Sequence, residues 1–166
     1  MAAQNLETAG KEEQVVVFQL DDQTYGLDIA AVSEIIRMEK ITHVPRAPEF
    51  VEGVINLRGR IIPVIDLRER FMLARGEYTR QSRIIIVEIG EVTVGMIVDA
   101  VLEVLRISVN NIEPPPAMID GVDVAYLRGI ALWEGRMIIL LSLERILDEH
   151  EKESLGQAEA AAEVTI

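Results

Sequence analysis

Two stretches of the chain carry nearly the same succession of apolar and polar positions. Residues 17–38, VFQLDDQTYGLDIAAVSEIIRM, align without a gap on residues 86–107, IVEIGEVTVGMIVDAVLEVLRI. The alignment sets Gly26 on Gly95, Val32 on Val101, Glu34 on Glu103 and Arg37 on Arg106. Residues 53–67, GVINLRGRIIPVIDL, align in turn on 129–143, GIALWEGRMIILLSL, pairing Gly53 with Gly129, Gly59 with Gly135 and Arg60 with Arg136. One structural plan therefore occurs twice. The second copy is longer around EPPPAMIDGVD (113–123), whose Pro and Gly content is that of an irregular connection.

Within each copy the apolar runs are short and separated by turn residues, the pattern of a small β-barrel rather than of a parallel sheet alternating with long helices. Strands are expected at Gln14–Leu20, Thr24–Ile29, Ile35–Lys40, Gly53–Leu57 and Arg60–Ile65. In the second copy they are expected at Arg83–Ile89, Val92–Val98, Leu102–Ile107, Leu127–Trp133 and Arg136–Leu141. The fold class is thus mainly β, with two five-stranded barrels. Arg58-Gly59 and Glu134-Gly135 form two-residue hairpin loops, where Gly supplies positive φ. Short helical turns are expected near Ala30, Leu67, Ala100 and Leu143, with Asp28, Asp66, Asp99 and Ser142 capping their free N–H groups. A C-terminal helix can continue from Leu143, but its outer part lacks an apolar face and is expected to fray.

Charge refines this division. The formal net charge is −12, of which residues 148–166 hold −5 and residues 1–13 hold −2. The chain divides into an acidic N-terminal tail (1–13), a folded region (14–147) and an acidic C-terminal tail (148–166). A mildly acidic folded region is a poor match for nucleic acid or an anionic membrane surface. Apolar residues make up 49%, enough for a packed interior. There is no cysteine, which excludes disulfides and thiolate chemistry. No apolar run reaches the roughly 20 residues of a membrane span, and the N-terminus lacks a secretory core, so a cytoplasmic protein is expected.

Catalytic chemistry finds no foothold. His43 stands in a proline-flanked loop and His150 in the acidic tail, neither at ligand spacing, and no Gly-rich phosphate loop occurs. Asp28, Asp66 and Asp99 read as caps rather than as catalytic carboxylates. Trp133 alternates with apolar neighbours and reads as packing rather than as a stacking platform. No cofactor, metal or enzymatic activity is expected, and small-molecule carriers, hydrolases and RNA-binding barrels fit poorly.

Strand alternation separates two faces. Val16, Phe18 and Leu20 share one; Val15, Val17 and Gln19 share the other, and Gln19 marks it as outward. The equivalents Ile84, Ile86 and Glu88 are then outward too, as is Ile97 beside Gly95 on the next strand. Such exposed isoleucines form either a protein-binding patch or a face covered by the other barrel or the tail. Asn56, Arg58 and Glu34 are polar residues among apolar neighbours.

The segments FVEGVINLRGRIIPVIDLRERF (50–71), VFQLDDQTYGLDIAAVSEI (17–35) and YLRGIALWEGRMIILLSLERIL (126–147) resemble the CheW coupling proteins of bacterial chemotaxis, over nearly the whole of 14–147. The resemblance implies intertwined SH3-like subdomains, roughly 14–71 and 83–147 with exchanged strands, and a non-catalytic adaptor. Its implied partners are the cytoplasmic tip of methyl-accepting chemoreceptors and the regulatory domain of the histidine kinase CheA, in membrane-associated arrays. The receptor-facing positions would be Val32, Glu34, Gly53, Asn56 and Arg58. The kinase-facing positions would lie around Ile84, Ile86, Gly95 and Ile97; the equivalence of Val15 and Val17 to Ile84 and Ile86 in the repeat makes those two the expected second array interface.

Overall fold

The computed structural model describes residues 11–74, 76–115, 124–148 and 150–155. The first ten residues, most of the 113–123 connection and the end of the tail from 156 lie outside the described residues. In chain order the strands are β1 (Glu12–Leu20), β2 (Gln23–Asp28), β3 (Val32–Arg37), β4 (Val51–Leu57), β5 (Arg60–Asp66), β6 (Arg83–Ile89), β7 (Val92–Val98), β8 (Ala100–Ser108), β9 (Ile112–Glu113), β10 (Leu127–Trp133) and β11 (Arg136–Leu141). Helix α1 (Leu67–Arg70) follows β5, α2 (Leu143–Ile146) follows β11, and residues 150–155 are helical.

The hydrogen bonding exchanges strands between the copies. One sheet runs β8-β1-β2-β11-β10-β9 and the other β3-β6-β7-β5-β4. The first hairpin of each copy therefore sits in the sheet built mainly by the other. The sheets are open by hydrogen bonding yet form two SH3-like subdomains, as expected, and two short pairings add to the expected strands. Ile112 and Glu113 pair with Ala131 and Ile130, and the corresponding place in the other sheet holds the single bridge Thr42–Val54.

The guest hairpins enter through parallel seams, β2 on β11 and β7 on β5. Gly26 lies opposite Leu140 and Gly95 opposite Val64. A Cβ at Gly26 would lie 2.9 Å from Leu140 Cδ2 across the seam, and one at Gly95 3.3 Å from Val64 Cγ2 across the seam and 2.8 Å from Ile84 Cγ2 of its own hairpin. The repeated glycine thus clears the seam for large neighbours. Gly53 and Gly129 are repeated for another close approach: a Cβ at Gly129 would meet the Glu113 carbonyl oxygen at 2.7 Å, and one at Gly53 would strike that of Thr42.

Three cores result. Val15, Val17, Leu105, Ile107, Ala131, Ile138 and Leu140 all belong to the six-stranded sheet, which therefore curls on itself around a private interior. Ile55, Ile62, Val64, Ile84, Ile86 and Ile97 do the same for the five-stranded sheet. Between the sheets lies a larger shared core with Phe18, Leu20, Tyr25, Ile85, Val87, Met96, Ile139 and Leu141. Each guest hairpin is consequently buried on both faces, and its strands are near-continuous apolar runs, VVVF and IIIV.

This geometry corrects the outward assignment. Val15, Val17, Ile84, Ile86 and Ile97 are all at most 3% exposed. Gln19 and Glu88 stand near the ends of their strands, at the rim of a curled sheet, and do not report its outer surface. Gln19 Nε2 donates to the Asp21 carbonyl, and Glu88 accepts from the Thr93 hydroxyl.

The turns behave as their residues dictate. Arg58 and Gly59 both have positive φ (53° and 87°), as do Glu134 and Gly135 (46° and 76°), the geometry of a two-residue hairpin loop. Asp28 caps the 3₁₀ turn Ile29–Ala31, and Asp66 caps α1. Asp99 does not cap: β8 begins at Ala100, and the carboxylate instead accepts from the Asp21 backbone N–H and from Arg68. Ser142 precedes α2 without a side-chain cap bond. The tail boundaries also move. β1 begins at Glu12 rather than Gln14. At the other end Leu155 is fully buried in the shared core, and Glu151 pairs with Arg70, so the acidic tail is docked that far.

Candidate functional site

Strands β3 and β4 are the two edges of the five-stranded sheet. The gap between them is spanned by a side-chain pair. Arg58 Nη1 and Nη2 donate to Glu34 Oε1 and Oε2 at 3.0 and 2.5 Å, a bidentate fork. The hydrogen bonds from Arg58 hold the Glu34 carboxyl below its ordinary pKa. Asn56 Oδ1 accepts the Gly59 backbone N–H at 2.8 Å, which fixes the turn that presents Arg58. Glu34 is 33% and Arg58 70% exposed in their side chains, so the pair closes the subdomain while remaining at the surface.

The other expected residues of this set are distributed differently. Val32 opens β3 and packs at the margin of the shared core. Gly53 is buried under the Thr42 backbone and supports β4 rather than offering a surface. Glu34, Asn56 and Arg58 are thus brought together directly, with Val32 and Gly53 as flanking framework.

The repeat extends to this closure. In the six-stranded sheet Arg136 Nη2 donates to Glu103 Oε2 at 3.2 Å, linking the β10–β11 hairpin to edge strand β8. Glu103 is the counterpart of Glu34. The arginine, however, comes from the position equivalent to Arg60, which in the first copy donates to the Thr93 hydroxyl at 2.6 Å. Arg136 also lies 5.2 Å from the centroid of Trp133, which packs against the interior of its own sheet.

The CheW-like domain family matches residues 14–151. The chain belongs to the CheW-like family. It is 36% identical to the chemotaxis protein CheW of Klebsiella aerogenes over 145 residues, covering 87% of this chain and 86% of the relative. Similarity to the chemotaxis protein CheW of Thermotoga maritima is 37% identity, covering 87% and 93%. The crystal structure of the scaffolding protein TtCheW from Thermoanaerobacter tengcongensis superposes with a TM-score of 0.77 at 46% identity, covering 86% of this chain and 92% of that one.

Within this CheW-like domain, sequence reasoning missed a second group of surface residues. Leu102 (44% exposed), Val104 (48%), Leu132 (45%) and Met137 (52%) are exposed apolar side chains beside the Glu103–Arg136 pair in sequence. Leu132 and Met137 are cross-strand partners. The repeat contained the signal: copy one carries Ser33 and Asn56 where copy two carries Leu102 and Leu132. Also missed was the junction at Arg68, which donates through Nε and Nη2 to Asp99 (2.8 and 2.6 Å) and lies 3.6 Å from Asp21. Burial raises the Asp99 pKa, but the Arg68 hydrogen bonds and the Asp21 N–H outweigh it, and the net shift is downward. Residues so far apart in the chain carry no local pattern that announces their meeting.

Proposed function

We propose that the chain is a non-catalytic scaffold of chemotaxis signalling, coupling methyl-accepting receptors to the histidine kinase CheA in the cytoplasm at receptor arrays. Membership of the CheW-like family over most of the chain carries this reading. Glu34, Asn56 and Arg58, with Val32 and Gly53 behind them, form the receptor face. Support comes from the geometry of the pair, which is surface-exposed yet held in one orientation, so contact with a receptor costs little side-chain ordering.

The kinase contact shifts from the buried isoleucines to the exposed apolar residues of copy two. Ile84, Ile86, Gly95 and Ile97 act by packing the guest hairpin, and Val15 and Val17 do so in the other sheet. Leu102, Val104, Leu132 and Met137 instead supply uncovered apolar area of the kind that marks protein interfaces. An adaptor touching both partners biases the kinase through a coupling free energy of about 1–3 kcal/mol without making or breaking a bond. Calorimetric titration with the regulatory domain of the cognate kinase, and separately with a receptor tip fragment, tests the reading. Binding of both supports it, and a folded protein that binds neither refutes it.

A further inference from the structure

One cationic cluster, at the far end of β3 from Val32, forms no ion pair among the described residues. Arg37 ends β3, Arg83 opens β6, and the two are direct cross-strand partners. Like charges placed opposite each other destabilise an antiparallel pair. Arg80 stands in the preceding turn, which is fixed by the Thr79 N–H donating to Ser82 Oγ (2.8 Å) and the Gln81 N–H donating to Thr79 Oγ1 (3.1 Å). Arg83 Nη1 donates to the carbonyls of Arg80 and Ser82 at 2.7 and 2.8 Å, which binds its guanidinium to the same turn. Arg37, Met38, Thr79, Arg80, Ser82 and Arg83 line an open concavity of about 390 Å³.

No carboxylate lines that concavity. Among the described residues none of the three arginines forms an ion pair. This is unusual company in a chain with 28 acidic and 16 basic residues. The internal repeat supplies a control. The counterpart of Arg37 is Arg106, which lies opposite Gln14, the counterpart of Arg83. The fold therefore accepts a neutral residue at this position, and the arginine opposition is a property of one copy rather than a demand of the architecture.

We propose that the Arg37–Arg80–Arg83 concavity binds a multiply charged oxyanion of the phosphate class. Guanidinium forks match phosphate oxygens in geometry as well as charge. Ser82 Oγ already accepts from the backbone, so its proton is left to donate, and Thr79 adds a second hydroxyl at the rim. Three positive charges suit a trianion such as pyrophosphate better than a single carboxylate. Such a ligand would also cancel the repulsion between Arg37 and Arg83, which ties occupancy to the pairing of edge strand β3.

The test is calorimetry and thermal melting of the full chain with sodium pyrophosphate, against sodium chloride matched in ionic strength. The wild-type protein should bind about one equivalent and melt at higher temperature than in the chloride control. The R37T/R80S/R83Q protein should lose at least tenfold in affinity for pyrophosphate. Arg80→Ser alone, an exposed turn position, should show the same direction of loss and keeps the test decisive if the triple variant does not fold. A wild-type response no larger than that to matched chloride would overturn the proposal. So would an equal pyrophosphate response in Arg80→Ser or in a folded triple variant.

Discussion

Glu34 and Arg58 meet across the open side of the five-stranded sheet, joining edge strands that share no ladder of backbone hydrogen bonds. The pair is therefore both the seam of one subdomain and the polar centre of its proposed receptor face. An exposed ion pair contributes little to stability, so its removal should be visible in binding before it is visible in folding.

Arg58→Ala should accordingly leave the melting temperature almost unchanged while weakening capture of a receptor tip fragment at least tenfold. Binding to the kinase regulatory domain should stay near wild type. Parallel titrations of the two partners check this; equal loss for both would remove the separation of faces.

Ile84→Asp should fail in a different manner. Its side chain is fully buried in the interior of the five-stranded sheet, and an unpaired charge there costs on the order of 4 kcal/mol or more. Denaturant unfolding should show a large drop in midpoint or no folded protein. Val104→Asp, at an exposed position, should stay within about 0.5 kcal/mol of wild type and lose kinase binding instead. Retention of kinase affinity in folded Val104→Asp would exclude that face.

Glycine replacements should rank by what their new methyl group meets. At Gly53 the obstacle is the Thr42 backbone carbonyl, whereas at Gly95 the nearest atom belongs to the Ile84 side chain. Side chains yield more readily than backbone, so Gly53→Ala should destabilise more than Gly95→Ala, with overpacking costs of about 1–3 kcal/mol as the scale. Equilibrium unfolding of both variants measures the order.

Acid should expose the junction at Arg68. The folded-state pKa of Asp99 lies below the ordinary value of 3.8, so the unfolded chain takes up its proton first as pH falls. The stabilisation is present above that ordinary value and is lost as pH drops through the folded pKa. Asp99→Asn should therefore be less stable at neutral pH, and its deficit should shrink below about pH 4. A deficit that stays constant from pH 7 to pH 3 in thermal melts would show that the carboxylate charge contributes nothing.

Leu155→Ala probes the docked end of the chain. Leu155 is fully buried in the shared core, and emptying such a site costs about 2–5 kcal/mol. A shift of that size in the unfolding midpoint is expected, together with faster proteolysis at the C-terminal end.

The strands and tight turns were legible because their information is local. Arg58-Gly59 and Glu134-Gly135 specify hairpins within two residues, and the strands from Arg83 to Val98 matched their expected ends. The membership of those strands in one sheet or the other was less legible. Since the copies share one apolar pattern, β1 and β6 are equally suited, by periodicity, to either sheet, and the choice depends on the whole chain. The face error has a related cause. Gln19 points to an outside and the repeat carries that reading to Glu88, but a strand in a curled sheet can end at a wet rim while its middle is enclosed on both sides. A short uninterrupted apolar run is the signal of such enclosure, and RIIIVEI carries it. Leu155 was missed because a single apolar residue in an acidic segment makes no period.

The exchange of hairpins sets a timetable for the nascent chain. Among the described residues β1 forms ladders only with β2 and β8, and β2 completes its sheet against β11, near the end of the described chain. While the ribosome is still translating the second copy, the Val15 and Val17 face of the first hairpin lacks every residue that encloses it, and the opposite face meets only the first-copy part of its core, such as Phe71. The first copy alone is then an unfinished product rather than a folded half. Slow or paused synthesis between β7 and β11 should therefore favour chains that complete one another in pairs, with the same strand contacts made between molecules instead of within one.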